Sequence, residues 1–234
     1  MIGAPHVHHR LTDSTNERAR ELALAGAPHG TLVTADEQEA GRGRQGRTWS
    51  APAGRALLMS LLLRDLEAGD ALLPLAAAVA VCEACEEVAA VECRIKWPND
   101  VWIDGRKVAG ILVEGRPQEG WAILGIGLNV ATQPDEFPPE LRDGATSLSV
   151  AARASADPRT VLAALLPVLE RLLEANPGEV LSRWRERDAL LGRKIGWVGG
   201  REGIAAGIDD SGALLVDTDG SLIALSAGEV HLSV

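Results

Sequence analysis

The chain has 234 residues, enough for one large domain or a main domain with a small appendage. With 46% hydrophobic and 24% charged residues it has a globular composition. Its formal net charge of −10 speaks against a general nucleic-acid binder, which needs clustered cations to neutralise phosphates.

Nothing at the start pairs a basic stretch with an apolar one, so no signal peptide is expected. His6, His8 and His9 crowd a terminus expected to be frayed. Ser14 to Leu24 reads as a helix, with Ser14-Thr15-Asn16-Glu17 matching a capping box. A helix N-terminus also offers amides and hydroxyls to a polar ligand. Thr31 to Ala35 is a short β-branched strand. From Glu37 to Arg55 there is no periodicity, and a loop of that length is uncommon unless it is functional. Within it, Gly41 to Arg55 carries Arg42, Arg44, Arg47 and Arg55 and no acid, which points to a small anionic ligand.

Ala56 to Leu63 reads as a buried strand and Asp70 to Val91 as a long apolar helix with Pro74 in its first turn. The longest apolar run, Ala71 to Cys82, is too short to cross a bilayer. Cys82 and Cys85 fall inside this helical pattern and Cys93 follows. Three thiols with no second ligand pair give neither a disulfide framework nor a zinc site, and they fit a reducing cytoplasm. Arg94 to Lys96, Val101 to Ile103, Arg106 to Glu114 and Trp121 to Val130 read as strands. Pro158 to Ala175 and Gly178 to Leu190 read as helices. After Gly192 short strands alternate with Gly-Asp turns, as in a small β-barrel. The expected fold is α+β: a mixed β-sheet backed by helices over residues 1–190, then a small SH3-like β-barrel over residues 191–234.

Four segments carry chemistry. Gly41-Arg42-Gly43-Arg44-Gln45-Gly46-Arg47 satisfies G-x-G-x-x-G but does not open a helix, so the dinucleotide reading fails. What remains is a pliable loop whose guanidinium groups can clamp phosphate or carboxylate oxygens, or else a solvated basic loop. In the second, Lys96-Trp97-Pro98-Asn99-Asp100 leads into a hairpin at Asp104-Gly105. A two-residue turn pairs Trp102 with Lys107 and, in unbroken register, Asp100 with Ala109. Asp100, Trp102 and Lys107 then share one face, either as a site or as a salt-bridged sheet face. Third, Gly125-Ile126-Gly127-Leu128-Asn129 turns Gly125, Gly127 and Asn129 to one side, making either a flat floor for a ligand ring or a surface of close packing. The fourth is Asp13-Ser14-Thr15-Asn16, a helix cap that can also bind.

In this order, and together with Arg106 to Glu114 and Ser182-Arg183-Trp184, these segments resemble the catalytic region of biotin–protein ligases over almost the whole chain. The Gly-Arg loop and the Lys-Trp-Pro-Asn-Asp run are specific as a pair. The resemblance implies an enzyme that activates biotin with ATP, Mg²⁺ accompanying the nucleotide, to biotinyl-5′-AMP. It then transfers biotin to a lysine of a biotin carboxyl carrier protein such as that of acetyl-CoA carboxylase. It implies that Ser14, Thr15, Asn16, Gln38, Gly41, Gly43 and Gly110 surround biotin. Arg42, Arg44 and Lys107 would act at the reacting carboxylate and phosphate, and Arg47, Trp49, Asn99, Asp100 and Asn129 would hold the nucleotide. No protein metal site is implied. The form resembled is the monofunctional one, without a DNA-binding domain, acting on neither nucleic acid nor membrane, with a homodimer as one option for its assembly. A lipoate–protein ligase and a non-catalytic biotin sensor are the competing readings.

Overall fold

The computed structural model describes residues 1–65, 72–116, 120–226 and 228–232. In chain order the first elements are β1 (His6–His9), α1 (Thr15–Leu24), β2 (Leu32–Ala35), β3 (Ala56–Arg64) and α2 (Leu73–Val88). Four strands follow, β4 (Arg94–Lys96), β5 (Asp100–Ile103), β6 (Arg106–Arg116) and β7 (Trp121–Asn129). Next come α3 (Leu148–Ala152), α4 (Pro158–Glu174) and α5 (Pro177–Arg185). The chain ends in β8 (Lys194–Trp197), β9 (Arg201–Ile208), β10 (Leu214–Thr218), β11 (Ser221–Leu225) and β12 (Val230–Leu232). The expected first residues of α2, Asp70 and Ala71, lie outside the described residues.

The first seven strands make one mixed sheet in the order β1-β2-β3-β7-β6-β5-β4, with only β1 and β2 parallel. The last five make a separate antiparallel sheet, β11-β10-β9-β8-β12, the SH3-like unit expected at the C-terminus. The central strands β2, β3 and β7 are buried on both faces. On one, Leu57, Met59 and Leu61 of β3 and Leu124, Ile126 and Leu128 of β7 enter a core shared with α2, α4 and α5. Alternation puts Leu62 and Ile123 on the other face, where Ala19 and Ala23 of α1 cover them. Beyond α1 that second face is left for the site. Cys82, Cys85 and Cys93 are free thiols buried in the core, the first two on α2 as expected. No helix among the described residues is long and apolar enough to cross a membrane.

Three elements differ from the sequence reading. The terminus expected to fray is a strand: His6 to His9 pair with Leu32 to Ala35, and His6 Nε2 and His8 Nδ1 lie 2.8 and 2.9 Å from Thr34 Oγ1. Helix α5 stops at Arg185 rather than Leu190. Its continuation runs along the free edge of β4, where Ile95 N–H donates to Arg187 O at 2.7 Å and Ala189 N–H to Ile95 O at 2.9 Å. These bonds satisfy an edge that would otherwise stay unpaired. The capping box does not form either. The Ser14 hydroxyl makes no cap bond, Glu17 turns to Arg20 and Arg42, and the Thr15 N–H is taken by Gln38 Oε1 at 2.7 Å.

The small sheet is tied to the large one at the Lys-Trp-Pro-Asn-Asp run. Trp97 Nε1 donates to Gly212 O at 3.0 Å, and Gly212 is pressed so close to Leu72 and Leu75 that a Cβ there would come within 2.9 Å of both.

Candidate active site

Lys107 owes its place to a defect in the hairpin. Asp104 and Gly105 both take positive φ, 50° and 74°, as a two-residue turn needs, and Trp102 pairs with Lys107 as expected. The register then slips. Val101 faces Ala109 and Asp100 faces Gly110, not Ala109, because Val108 is an extra residue on β6. With this β-bulge, Val108 and Ala109 are both fully buried. Lys107 and Gly110, three residues apart, come to the same face, which unbroken alternation forbids. A Cβ on Gly110 would stand 3.2 Å from Lys107 Nζ. Lys107 Nζ lies 2.6 Å from Asp100 Oδ1, and its backbone is pinned by Gly144 O at 2.8 Å and Thr146 N at 2.9 Å.

Across the sheet Gly110 pairs with Gly127, and Gly127 with Leu58. The two facing glycines form a flat floor, and the indole of Trp49 lies on it. A Cβ on Gly127 would be 2.5 Å from Trp49 Cε2. Lys107 Nζ sits 5.8 Å over the same ring. The indole Nε1 is buried without a hydrogen-bond partner. Asn129 Nδ2 donates to Thr146 O at 3.2 Å, which commits that end of the amide and fixes its orientation.

The Gly-Arg segment is more ordered than its lack of periodicity suggests. It forms a hairpin, with Arg42 bridged to Thr48, Trp49 N–H donating to Gly41 O at 2.9 Å and Gly43 N–H to Arg47 O at 2.7 Å. Its three arginines are held from different sides. Arg42 pairs with Glu17 and with Glu114. Arg44 donates to Asn99 Oδ1 at 3.1 Å, and Arg47 pairs with Glu229, just ahead of β12 in the small sheet.

At the opposite end of the floor, α1 presents Thr15 and Asn16, both buried. Thr15 Oγ1 is 3.0 Å from Gln38 Oε1, and Asn16 Nδ2 donates to Glu114 Oε2 at 2.7 Å. Asp13, next to this group, accepts from Arg18 and from Ser14 N–H, and the Arg18 guanidinium holds its carboxyl well below the usual carboxylate range.

All these groups surround one cavity of about 320 Å³. Ser14, Thr15, Asn16, Gln38, Arg42, Gly43, Arg44, Arg47, Trp49, Asn99, Asp100, Lys107, Gly110 and Asn129 line it, so residues spread over more than a hundred positions converge on one cavity. Gly41 does not. It sits at the base of the hairpin beside an adjoining groove, and a Cβ there would meet Trp49 O at 2.3 Å. Its lack of a side chain lets the hairpin close; it does not contact the cavity.

Several lining residues escaped the sequence reading. Lys96 borders the cavity, and burial pushes its ammonium below the usual lysine value. Phe137, Glu140, Leu141, Gly144 and Ala145 form one wall and Gly228 and Glu229 another. Ser60, which lies behind Asn16 and does not line the cavity, had a visible signal: it is the lone polar residue in the run Ala56 to Leu63. The wall after β7 has no comparable mark.

Comparison with known proteins places this geometry among enzymes. The sequence pattern of the Biotin/lipoate A/B protein ligase family matches residues 8–130, and that of the Biotin protein ligase C terminal domain matches residues 201–233. The chain is 39% identical over 246 residues to the bifunctional ligase/repressor BirA of Bacillus subtilis, covering 99% of this chain and 75% of that protein. It is 37% identical over 237 residues to the biotin–[acetyl-CoA-carboxylase] ligase of Mycobacterium tuberculosis, covering 94% and 86%. The solved structure of biotin protein ligase from Aquifex aeolicus in complex with biotin and ATP superposes with a TM-score of 0.83 at 31% identity, covering 98% of this chain and 99% of that one.

Proposed function

The chain belongs to the biotin/lipoate A/B protein ligase family, and from that premise we propose how its cavity divides the work of an ATP-dependent biotin–protein ligase. One observation carries the reading: Arg42, Arg44 and Lys107 border the same cavity as the polar cluster of Ser14 to Asn16 and Gln38. Cations gather where two anions must meet, and uncharged donors and acceptors gather where a cyclic urea can bind.

Biotin enters with its ring toward α1. Gln38 Oε1 is occupied by the Thr15 N–H, so Nε2 is the end of that amide left to donate to the ureido oxygen. The Ser14 hydroxyl, released from capping, is a second donor, and Thr15 Oγ1 can accept from a ureido N–H. The valeryl chain then runs past the Trp49 ring, which covers the glycine floor, toward Lys107. There a carboxylate oxygen attacks the α-phosphorus of ATP, the bond to the β-phosphate bridge breaks, and pyrophosphate leaves biotinyl-5′-AMP. In the second step the acceptor lysine, as the free amine, attacks the acyl carbon, an amide forms and AMP departs. Neither step needs a protein nucleophile. The residues act by alignment and by offsetting the repulsion between two anions. Mg²⁺ bound with ATP supplies charge neutralisation on the phosphates. Asp100, Glu140 and Glu229 are the carboxylates lining the cavity, and of these Asp100, beside Lys107, would face it; among the described residues no cluster of three His, Cys, Asp or Glu side chains is arranged to hold a metal. The acceptor is the biotin carrier domain of a carboxylase.

The base of ATP fits between Trp49 and Asn129. With Asn129 Nδ2 committed to Thr146 O, its Oδ1 is an acceptor, which matches the amino group of adenine and opposes the carbonyl of guanine. Asn129→Ala is therefore expected to lower the preference for ATP over GTP by about tenfold, measured as the ratio of kcat/KM for the two nucleotides. An unchanged ratio would move the base elsewhere.

The overall reading is tested by incubating the protein with ATP, labelled biotin and a biotin carrier domain, with lipoate in a parallel reaction. Label on the carrier lysine is expected from biotin and not from lipoate. Biotin binding without transfer would instead mark a sensor.

A further inference from the structure

Five side chains form one connected series running from the ring end of the cavity to its charged end. Ser60 Oγ lies 2.6 Å from Asn16 Oδ1 and 2.8 Å from Thr15 Oγ1. An ionised carboxylate can only accept, so Glu114 takes the amino end of the Asn16 amide and turns Oδ1 inward, where it accepts the Ser60 proton. Gly125, opposite Ser60 on β7, makes room for that oxygen, since a Cβ there would lie 2.2 Å from it. Asn16 Nδ2 points to Glu114 Oε2 at 2.7 Å, and the other oxygen of Glu114 accepts from the Arg42 guanidinium at 3.3 Å.

Glu114 is out of place on simple electrostatic grounds. A carboxylate beside a cavity that receives a carboxylate and a triphosphate disfavours both ligands. Asp100 is offset by Lys107 in direct contact, whereas Glu114 divides its two oxygens between an amide from α1 and a guanidinium from the Gly-Arg hairpin. These partners come from 98 and 72 positions away in the chain, and Arg42 is held in addition by Glu17 of α1. We propose that Glu114 is a positioning residue that joins the two ends of the site: one carboxylate sets both the amide behind the biotin ring and the cation over the reacting carboxyl group. The proposal rests on the ligase reading above. It adds that Arg42 is aligned by the same group that shapes the ring pocket.

The test uses the full chain with Glu114→Ala, Glu114→Gln, Asn16→Ala and the double variant Asn16→Ala/Glu114→Ala. Biotin affinity is measured by calorimetry without ATP, and adenylate formation by pyrophosphate release at saturating substrates. Glu114→Ala is expected to weaken biotin about tenfold and to slow adenylation about tenfold, the scale of one hydrogen bond to a charged group in each case. Glu114→Gln keeps an acceptor for Asn16 but no charge for Arg42, so it should recover most of the biotin affinity and little of the rate. The double variant should bind biotin no more weakly than Asn16→Ala alone, because both changes cut the same link. A purely structural glutamate would lower thermal stability without this split. The proposal is overturned if Glu114→Gln matches Glu114→Ala in both constants, if the two losses in biotin affinity multiply, or if Glu114→Ala leaves both constants within about twofold of the parent. A parent protein that makes no adenylate from biotin and ATP would remove the ligase reading itself, a result distinct from any of these.

Discussion

Lys107→Ala is expected to slow biotinyl-adenylate formation by at least about a hundredfold while the protein stays folded. The ammonium contacts Asp100 at 2.6 Å and stands over the Trp49 ring, so it is held directly beside the glycine floor. Its loss removes a fixed positive charge from the point where carboxylate and α-phosphate approach. It also leaves Asp100 unneutralised beside both, which adds a repulsion that the parent site lacks. Neither effect reaches the fold. The backbone of residue 107 is held by Gly144 and Thr146, and the neighbouring Val108 and Ala109 carry the buried contacts. Pyrophosphate release in a single turnover, with circular dichroism and a melting curve alongside, separates the two. Turnover near the parent rate in a folded variant would take Lys107 out of the chemistry. Lys107→Arg should not rescue it, because Gly110 and the Trp49 ring leave a narrow slot suited to an unbranched stem and not to a planar fork.

The hairpin that carries Lys107 also shows how far the residues alone could be read. Asp104-Gly105 fixed the turn, and alternation fixed which side chains of β7 face the cavity. The bulge at Val108 was not legible, since Val108 and Ala109 are both apolar and either could be the inward residue of a regular strand. Only packing against the interior decides that both go in. Similar reasons hide the other departures. His6 to His9 lack a strand pattern because an edge strand half in solvent needs none, and the residues after Arg185 look helical until the free edge of β4 competes for their backbone. Ser14 to Glu17 satisfies a local capping rule, yet the partner that prevails is Gln38, 23 positions away from Thr15. The link through Glu114 lies entirely in contacts of this long-range kind, so a solitary acid after Ile111-Leu112-Val113 gave no hint of its two partners.

Two substitutions on adjacent sites of one strand should divide the substrates between them. Gly125 and Gly127 have the same backbone role in β7, and alanine suits a strand no worse than glycine, so the strand backbone itself tolerates either change. What each new Cβ meets is different. At Gly127 it would enter the Trp49 ring, 2.5 Å from Cε2 and 2.8 Å from Nε1, and the indole must leave the floor. Trp49 also closes the hairpin through its N–H to Gly41, so the arginines move with it. At Gly125 the Cβ would stand 2.2 Å from Asn16 Oδ1, an atom already fixed by Ser60, and the side of the ring pocket formed by α1 must shift. Gly127→Ala is therefore expected to raise KM for ATP by about ten- to a hundredfold with a smaller effect on biotin. Gly125→Ala should raise the biotin dissociation constant by a similar factor with a smaller effect on ATP. Calorimetry with biotin and steady-state kinetics in ATP read the two arms independently. If each variant disturbs both substrates equally, the floor is one packed surface without separate stations, and the placement of ring and nucleotide at its two ends is wrong.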